Sequence, residues 1–504
     1  MTVLPEATAG HEVFAPDDLG AVLDKAAQVV GADRVIYPEE AVAGGPLSTP
    51  LGPNVSLYRS RTVFGVVRPQ TAEEVRRVVG LFADGRTSAR LHTFSTGGNW
   101  GLGSREPAQD GAVVLDLSGL DQIRDIDVAQ GWAVLEPGVT QARLARLLEG
   151  SERMLNVTVS SAGTSVVGNA LDRGVGLRHQ RVDDLTGLEV VLPSGELIRV
   201  GWWPDADRTT PVYSHGLGPS LVQLFVQSSL GVITAATVRL LPRPEDLRVV
   251  RLNFTPDKVE AATGEVQRWV SQGLSRGVVK IYNEAAAKAY DSPAGQYLVH
   301  VCVDGTTEAV DALCGIVVTE AVKSGLFTAV ADRDARDPDA PNHDIAVRVE
   351  RAYAGDPDPT DVLFEAKTGR PAARLDEEGG FLFFLPLVPF TGPALARVDE
   401  LVEQVRVETG IRCGVTLNAL GPDLVDCVVT MKFARAEDEA ERAHRALDRL
   451  HKLFVAEGFI PYRLGIEHAD WADRLSAGTG ARAFARLLKD AVDPHHVIAP
   501  GRYT

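Results

Sequence analysis

The chain has 504 residues, 45% apolar and 24% charged, with 68 acidic against 51 basic side chains and a formal net charge of −17. That length exceeds one ordinary core and predicts two or three domains, which excludes a small single module. An acidic balance without a local basic stripe argues against a nucleic-acid partner, and no apolar run reaches the length needed to cross a bilayer. The start, Met1 to Thr8, lacks the basic-then-apolar pattern of a secretory signal, so a cytoplasmic location is expected. Cys302, Cys314, Cys413 and Cys427 are widely spread, with no pair at metal-ligand spacing, and suit a reducing compartment without disulfides.

From Arg61 to about Leu241, short β-branched runs alternate with helical patches, the texture of an α+β or α/β nucleotide-binding domain. Val63 to Val67 reads as a strand. Thr71 and Glu74 then stand at capping-box spacing and open a helix through Val75, Val78, Val79 and Phe82. Further strands are expected at Arg90 to Phe94, Ala112 to Leu117 and Trp132 to Glu136, the last followed by a Pro137-Gly138 turn and a helix from Gln141 to Leu148.

Two glycine-rich stretches interrupt this pattern. The first runs Ser95-Thr96-Gly97-Gly98-Asn99-Trp100-Gly101-Leu102-Gly103. The second runs Gly163-Thr164-Ser165-Val166-Val167-Gly168-Asn169. Each leaves an apolar run and combines glycine with small hydroxyl residues, so its backbone N–H groups could wrap a diphosphate. Either alone is compatible with an ordinary turn; their order and surroundings carry the signal.

From about Pro242 to Gly458 the glycine motifs stop and longer helical patches alternate with strands such as Gln296 to Val301 and Phe381 to Leu385, which reads as a second domain. Ala331 to Pro341, rich in aspartate, reads as a solvated loop. His495-His496 sits in a proline turn without convergent partners and reads as exposed, so no metal is expected. The end, Ala485 to Pro494 then Val497 to Arg502, reads as a proline-stopped helix and a tight turn able to return to the first domain.

Taken together, both glycine stretches, Leu135-Glu136-Pro137-Gly138-Val139, Asn169 to Gly176, Gly187 to Leu192, Gly216 to Pro219, Gln227 to Thr234 and the terminal Asp493 to Arg502 resemble the vanillyl-alcohol oxidase and p-cresol methylhydroxylase family of FAD flavoproteins over most of the chain. The resemblance implies an α+β fold: a two-part FAD-binding domain of the PCMH type over 1–242, with its core at about 59–242, and an α/β cap domain with an antiparallel sheet over 243–459. A segment over 460–504 returns to the FAD domain. It implies an FAD cradle of Ser95, Thr96, Gly97, Gly98, Asn99, Trp100 and Gly101 with Gly163, Thr164, Ser165, Gly168 and Asn169, joined by Pro137, Gly231, Val232 and Arg502. The implied activity is an FAD-dependent oxidase or dehydrogenase that removes a hydride from an alcohol, alkyl or amine carbon of a small aromatic or oxyanion-bearing molecule, with dioxygen or another electron acceptor such as a cytochrome. The alternatives are oxidation of a hydroxy acid, sugar or secondary-metabolite intermediate, and a redox-inactive flavin-binding partner subunit. A homodimer is compatible with the sequence.

Several positions depart from the family pattern. Tyr462-Arg463 resembles the family's C-terminal pair that clamps an ionised phenol by charge-assisted hydrogen bonds, although Arg463 could equally bridge a structural carboxylate. The clamp's other tyrosine falls at Leu102, and the acidic residue that several relatives place beside the flavin falls at Ser160. Either no base is needed, or Asp172, His179, Glu467 or His468 has taken that role. The position of the covalent flavin linkage falls at Cys427, or one step away at Asp426, and no histidine lies between His11 and His92. A lone cysteine in an apolar strand usually packs as a small hydrophobe, so FAD is expected to be bound non-covalently.

Overall fold

The computed structural model describes residues 18–37, 48–49, 51–59, 61–83, 87–98, 100–103, 105–205 and 211–503; Asn99 lies outside the described residues. It is a mixed α and β molecule built on three main sheets.

The first sheet is ordered Val35–Ile36, Val63–Val67, Ala112–Asp116, Arg90–Phe94, and its last three strands run parallel. Parallel neighbours need crossovers, and the helix Ala72–Gly80 supplies one. Thr71 caps that helix by accepting from Glu74 N at 3.1 Å, while the Glu74 carboxylate accepts from Gln70 N at 2.7 Å. Val75, Val78 and Val79 are buried on one face, as 3.6-residue periodicity requires, and Phe82 is buried just beyond the helix end.

The second sheet is fully antiparallel, ordered Leu197–Gly201, Leu185–Val191, Val232–Arg239, Trp132–Leu135, Ile123–Asp127. The third has eight antiparallel strands. At its centre, Lys280–Tyr282 pairs with Cys413–Ala419, which pairs with Leu424–Phe433, which in turn pairs with Gly380–Phe384. Strand alternation divides this sheet into two unlike faces. Ile281, Val415, Leu417, Val425, Cys427 and Val429 pack into one apolar core beneath the helices Val259–Ser271, Thr307–Ser324, Gly392–Thr409 and Glu437–Ala456. The opposite face presents Lys280, Tyr282, Thr416, Asn418, Asp426 and Val428 to a cavity.

Two segments close the molecule. Leu91 N donates to Val497 O at 2.7 Å and Ala499 N to Leu91 O at 2.6 Å, so the C-terminal residues extend the first sheet beside Arg90–Phe94. Upstream, Tyr462 N donates to Leu385 O at 3.2 Å and Ile466 N to Leu102 O at 2.9 Å, which threads this segment between the third sheet and the first glycine turn. The aspartate-rich stretch is the largely exposed loop its composition predicts, with one 3-10 turn at Asp334–Arg336, and it is anchored through Arg336, which pairs with Asp246 at 2.8 Å and Glu350 at 3.0 Å, just after the short strand Ala329–Ala331 pairs with Asp246–Phe254. Among the described residues no helix is long and apolar enough to cross a membrane.

Candidate functional site

One large cavity, about 1940 Å³ with its mouth, runs between the glycine turns and the polar face of the eight-stranded sheet. Ser95, Thr96, Gly97, Gly98 and Trp100 line it from the first turn, and Thr164, Ser165, Gly168 and Asn169 from the second, with Pro137, Gly231 and Arg502 beside them. The two turns meet at Gly168, where a Cβ would stand 2.3 Å from Ser95 Oγ, so only glycine lets the loops approach this closely. Gly97 adopts φ +71°, a left-handed conformation open to glycine at little cost.

Buried bonds fix the second turn. Ser165 caps the helix Val166–Leu171 by accepting from Gly168 N at 2.8 Å, and it donates to Pro137 O at 2.6 Å. Behind it, the fully buried Gln141 donates to Ser161 O at 3.0 Å and accepts from Thr158 N at 2.9 Å. Arg181, with its pKa pushed down to about 10 by burial, reaches Gln141 at 3.4 Å and Asn169 at 3.5 Å. Glycine close approach, small hydroxyls and rigid backing on a single cavity wall suit a dinucleotide diphosphate, and the FAD implied by the sequence fits these residues.

Four expected cofactor residues do not line the cavity: Gly101, Gly163, Val232 and Cys427. Gly101 instead backs Phe383, whose N–H donates to its carbonyl at 3.2 Å, and a Cβ there would stand 2.6 Å from the Phe383 ring. Val232 faces the first sheet's core because its neighbours Gly231 and Ile233 take the cavity side. Cys427 is turned inward by the same two-residue period; it is fully buried in the apolar core, and burial raises its thiol well above the usual range. Asp426, one step away, holds the cavity face.

Ser160, Asp172, Tyr462 and Arg463 all line the cavity. The Arg463 guanidinium pairs directly with the Asp172 carboxylate, which also accepts from Tyr503 Oη at 3.5 Å. Burial opposes the Arg463 charge, but Asp172 and Tyr462 outweigh it and hold the guanidinium ionised. Arg463 therefore does bridge a carboxylate, one that itself faces the cavity. Tyr462 is half-buried, its hydroxyl kept neutral by desolvation and then by the nearby Asp426 charge. Its carbonyl accepts from Gln227 Nε2 at 3.0 Å.

The other candidate bases lie elsewhere. His179 bonds Asp184 at 2.7 Å, and His468 bonds Asp448 at 2.8 Å while stacking on His451. Glu467 accepts from Arg59 N at 2.7 Å. Ser160 Oγ accepts from Thr164 Oγ1 at 3.1 Å. Leu102 lines the cavity and is 2% exposed; the nearby Tyr58 spends its hydroxyl on Gly101 O at 2.8 Å.

The cap side carries residues that motif reading missed. Register places Lys280, Asn418 and Asp426 in one cross-strand row. Lys280 Nζ donates to Asn418 Oδ1, and Asn418 Nδ2 donates to Asp426 Oδ2 at 3.0 Å. Burial and then the charge of Lys367 push Lys280 down to about 7; burial also pushes Lys367 down to about 8 and Asp426 up to about 6. Lys367, from the helix Asp358–Thr368, lies 5.1 Å over the Phe383 ring. Tyr282 and Tyr290 pack at a tilt of 42° with centroids 4.4 Å apart, and Trp100 packs on Phe364 at 5.2 Å. A signal existed for Lys280: a charged residue inside the apolar run Val278 to Tyr282 is rarely buried without a role.

The FAD binding domain family matches residues 64–201. The chain is 28% identical to the 1'-carboxy-chondrochloren decarboxylase of Chondromyces crocatus over 94% of this chain and 95% of that protein. It is 26% identical to the flavoprotein subunit of 4-cresol dehydrogenase (hydroxylating) of Pseudomonas putida, over 95% and 92% respectively. Among solved structures, p-cresol methylhydroxylase with substrate bound superposes with a TM-score of 0.85 at 23% identity, covering 96% of each chain.

Proposed function

We propose that the chain, an FAD-dependent oxidoreductase similar over nearly its whole length to a PCMH-type flavoprotein, removes a hydride from an alcohol, alkyl or amine carbon of a small phenol-like molecule held in the cavity between the glycine turns and the eight-stranded sheet. FAD, when bound, supplies the hydride acceptor. In this reading Tyr462 hydrogen-bonds the substrate oxygen, the Arg463–Asp172 pair fixes Tyr462 and tunes the local charge, and aromatic walls exclude water from the reacting carbon. The observation that carries it is the cavity itself: diphosphate-suited turns on one wall and a half-buried tyrosine–arginine–aspartate cluster on another.

The division of labour we propose follows the same line, with an FAD-binding domain to about residue 242, a substrate cap over 243–459 and a closing segment over 460–504. The cradle residues are those of the two turns that line the cavity, together with Pro137, Gly231 and Arg502, and the flavin is held non-covalently. Dioxygen is the proposed electron acceptor. Anaerobic addition of a 4-alkylphenol to the purified yellow protein should bleach the flavin. The Tyr462→Phe variant should retain flavin but reduce it roughly 10²-fold more slowly. A flavin that stays oxidised with every phenol, alcohol and amine tried would refute the reading.

A second reading, oxidation of a secondary-metabolite intermediate, is favoured by the full-length similarity to the chondrochloren decarboxylase. A screen of carboxylated aromatic compounds against simple alkylphenols separates the two.

A further inference from the structure

We propose that Lys280 and Lys367 form a carboxylate-binding site on the cap wall of the cavity, so that the preferred substrate is an aromatic molecule carrying a monoanionic carboxylate away from its reacting carbon. This deepens the oxidoreductase reading and rests on it.

Both lysines line the cavity and come from separate elements, a strand of the eight-stranded sheet and the helix Asp358–Thr368. Like charges brought together in a buried setting destabilise each other, and here each also loses hydration. Neither lysine makes an ion pair among the described residues: Lys280 Nζ has one neutral partner, the Asn418 amide oxygen, and Lys367 rests against the Phe383 ring. An ammonium has three donors, so Lys280 keeps two for another acceptor.

Charge counting selects the ligand. Arg463 and Asp172 cancel each other in direct contact. Against the two lysines the cap wall sets one carboxylate, Asp426, which Asn418 holds. With both lysines protonated, the state a bound anion favours, the remainder is a single positive charge, and a monoanion compensates it where a dianionic phosphate would overshoot. Phe364 and Phe383 flank the pair and fit the apolar body of an aromatic acid.

The test uses dead-end ligands without an oxidisable carbon, so that binding is read without turnover. Benzoate, 4-hydroxybenzoate and 4'-hydroxybiphenyl-4-carboxylate are each titrated against their carboxamides, with perturbation of the flavin spectrum of the holoprotein giving Kd. The expected result is that at least one carboxylate binds tenfold or more tightly than its amide. Lys367→Met and Lys280→Met should each bring that ratio towards one, and Lys367→Arg should preserve it. No preference for any carboxylate, or a preference untouched by both methionine variants, overturns the proposal. So does a lowered flavin content with an unchanged ratio in the fraction that still holds flavin, which assigns the lysines to the cofactor. Bleaching by neutral alkylphenols without carboxylate preference leaves the oxidoreductase reading standing and removes this one alone.

Discussion

Lys280 shows what a single residue costs when it serves a site rather than the fold. Burial and then the neighbouring Lys367 depress it to about 7, and the charged groups around it are Lys367 and Asp426, with the buried His300 behind. A lysine whose folded pKa lies below its unfolded value opposes folding fully at pH below about 7, and the penalty shrinks as pH rises towards the unfolded value of ~10.4. Replacing it with methionine removes that penalty but leaves the Asn418 oxygen without its donor. The stability of Lys280→Met relative to the parent should therefore be most favourable near pH ~6.5 and should fall by up to about 1.4 kcal/mol per pH unit towards pH ~9. Denaturant melts at the two pH values check this, and a difference that does not move with pH contradicts it. Motif reading did not reach Lys280 or Lys367 because neither belongs to a glycine turn or a terminal pair; their pairing across strand and helix is a tertiary fact. The glycines were different: Gly97 and Gly168 are legible in sequence because backbone conformation and close approach restrict them locally.

At the scale of the element, period-two alternation decided more than similarity did. In Leu424–Phe433 it sends Val425, Cys427 and Val429 to the core and Asp426 and Val428 to the cavity. A one-residue uncertainty in placing the linkage position therefore flips the conclusion from a buried thiol to a cavity carboxylate. Cys427→Ala should leave the flavin released into the supernatant after acid precipitation, as in the parent protein. Flavin retained in the parent pellet and lost from the Cys427→Ala pellet would show that the strand register is wrong. Strands and helices themselves were largely legible. Ala72–Gly80, Arg90–Phe94 and Gln141–Leu147 stand within a residue or two of their expected limits, since caps and apolar periodicity are local signals. Ala331 to Pro341 was legible as an exposed loop, but its anchor was not, because Arg336 reaches carboxylates distant in sequence.

Across the whole molecule, the cavity depends on the chain end being held against the first sheet, and a buried ion pair shares the holding with the backbone bonds to Leu91. Lys489 is 2% exposed and donates to Asp493 at 2.6 Å, to Ser229 O at 2.7 Å and to Ile498 O at 2.8 Å. Asp493 in turn accepts from Val497 N at 2.8 Å and Ile498 N at 2.9 Å. The pair thus ties the last helix, Ala481–Val492, to the strand-like segment beside Leu91 and to the carbonyl of Ser229, next to the cavity residue Ser228. Sequence reading saw a proline-stopped helix here and could not see the latch, because Ser229 lies 260 residues away. Removing one partner of a buried pair is far more damaging than its surface equivalent, since the remaining charge stays desolvated. Asp493→Ala should lower stability by about 3 to 5 kcal/mol and free the segment that carries Arg502 and Tyr503 into the cavity wall. Flavin retention should fall with it. Asp490→Ala, which removes only the exposed partner of His496 on the same helix, should do neither. Denaturant melts with flavin content after gel filtration distinguish the outcomes: equal effects of the two variants would mean that the chain end is held by general helix packing rather than by this latch.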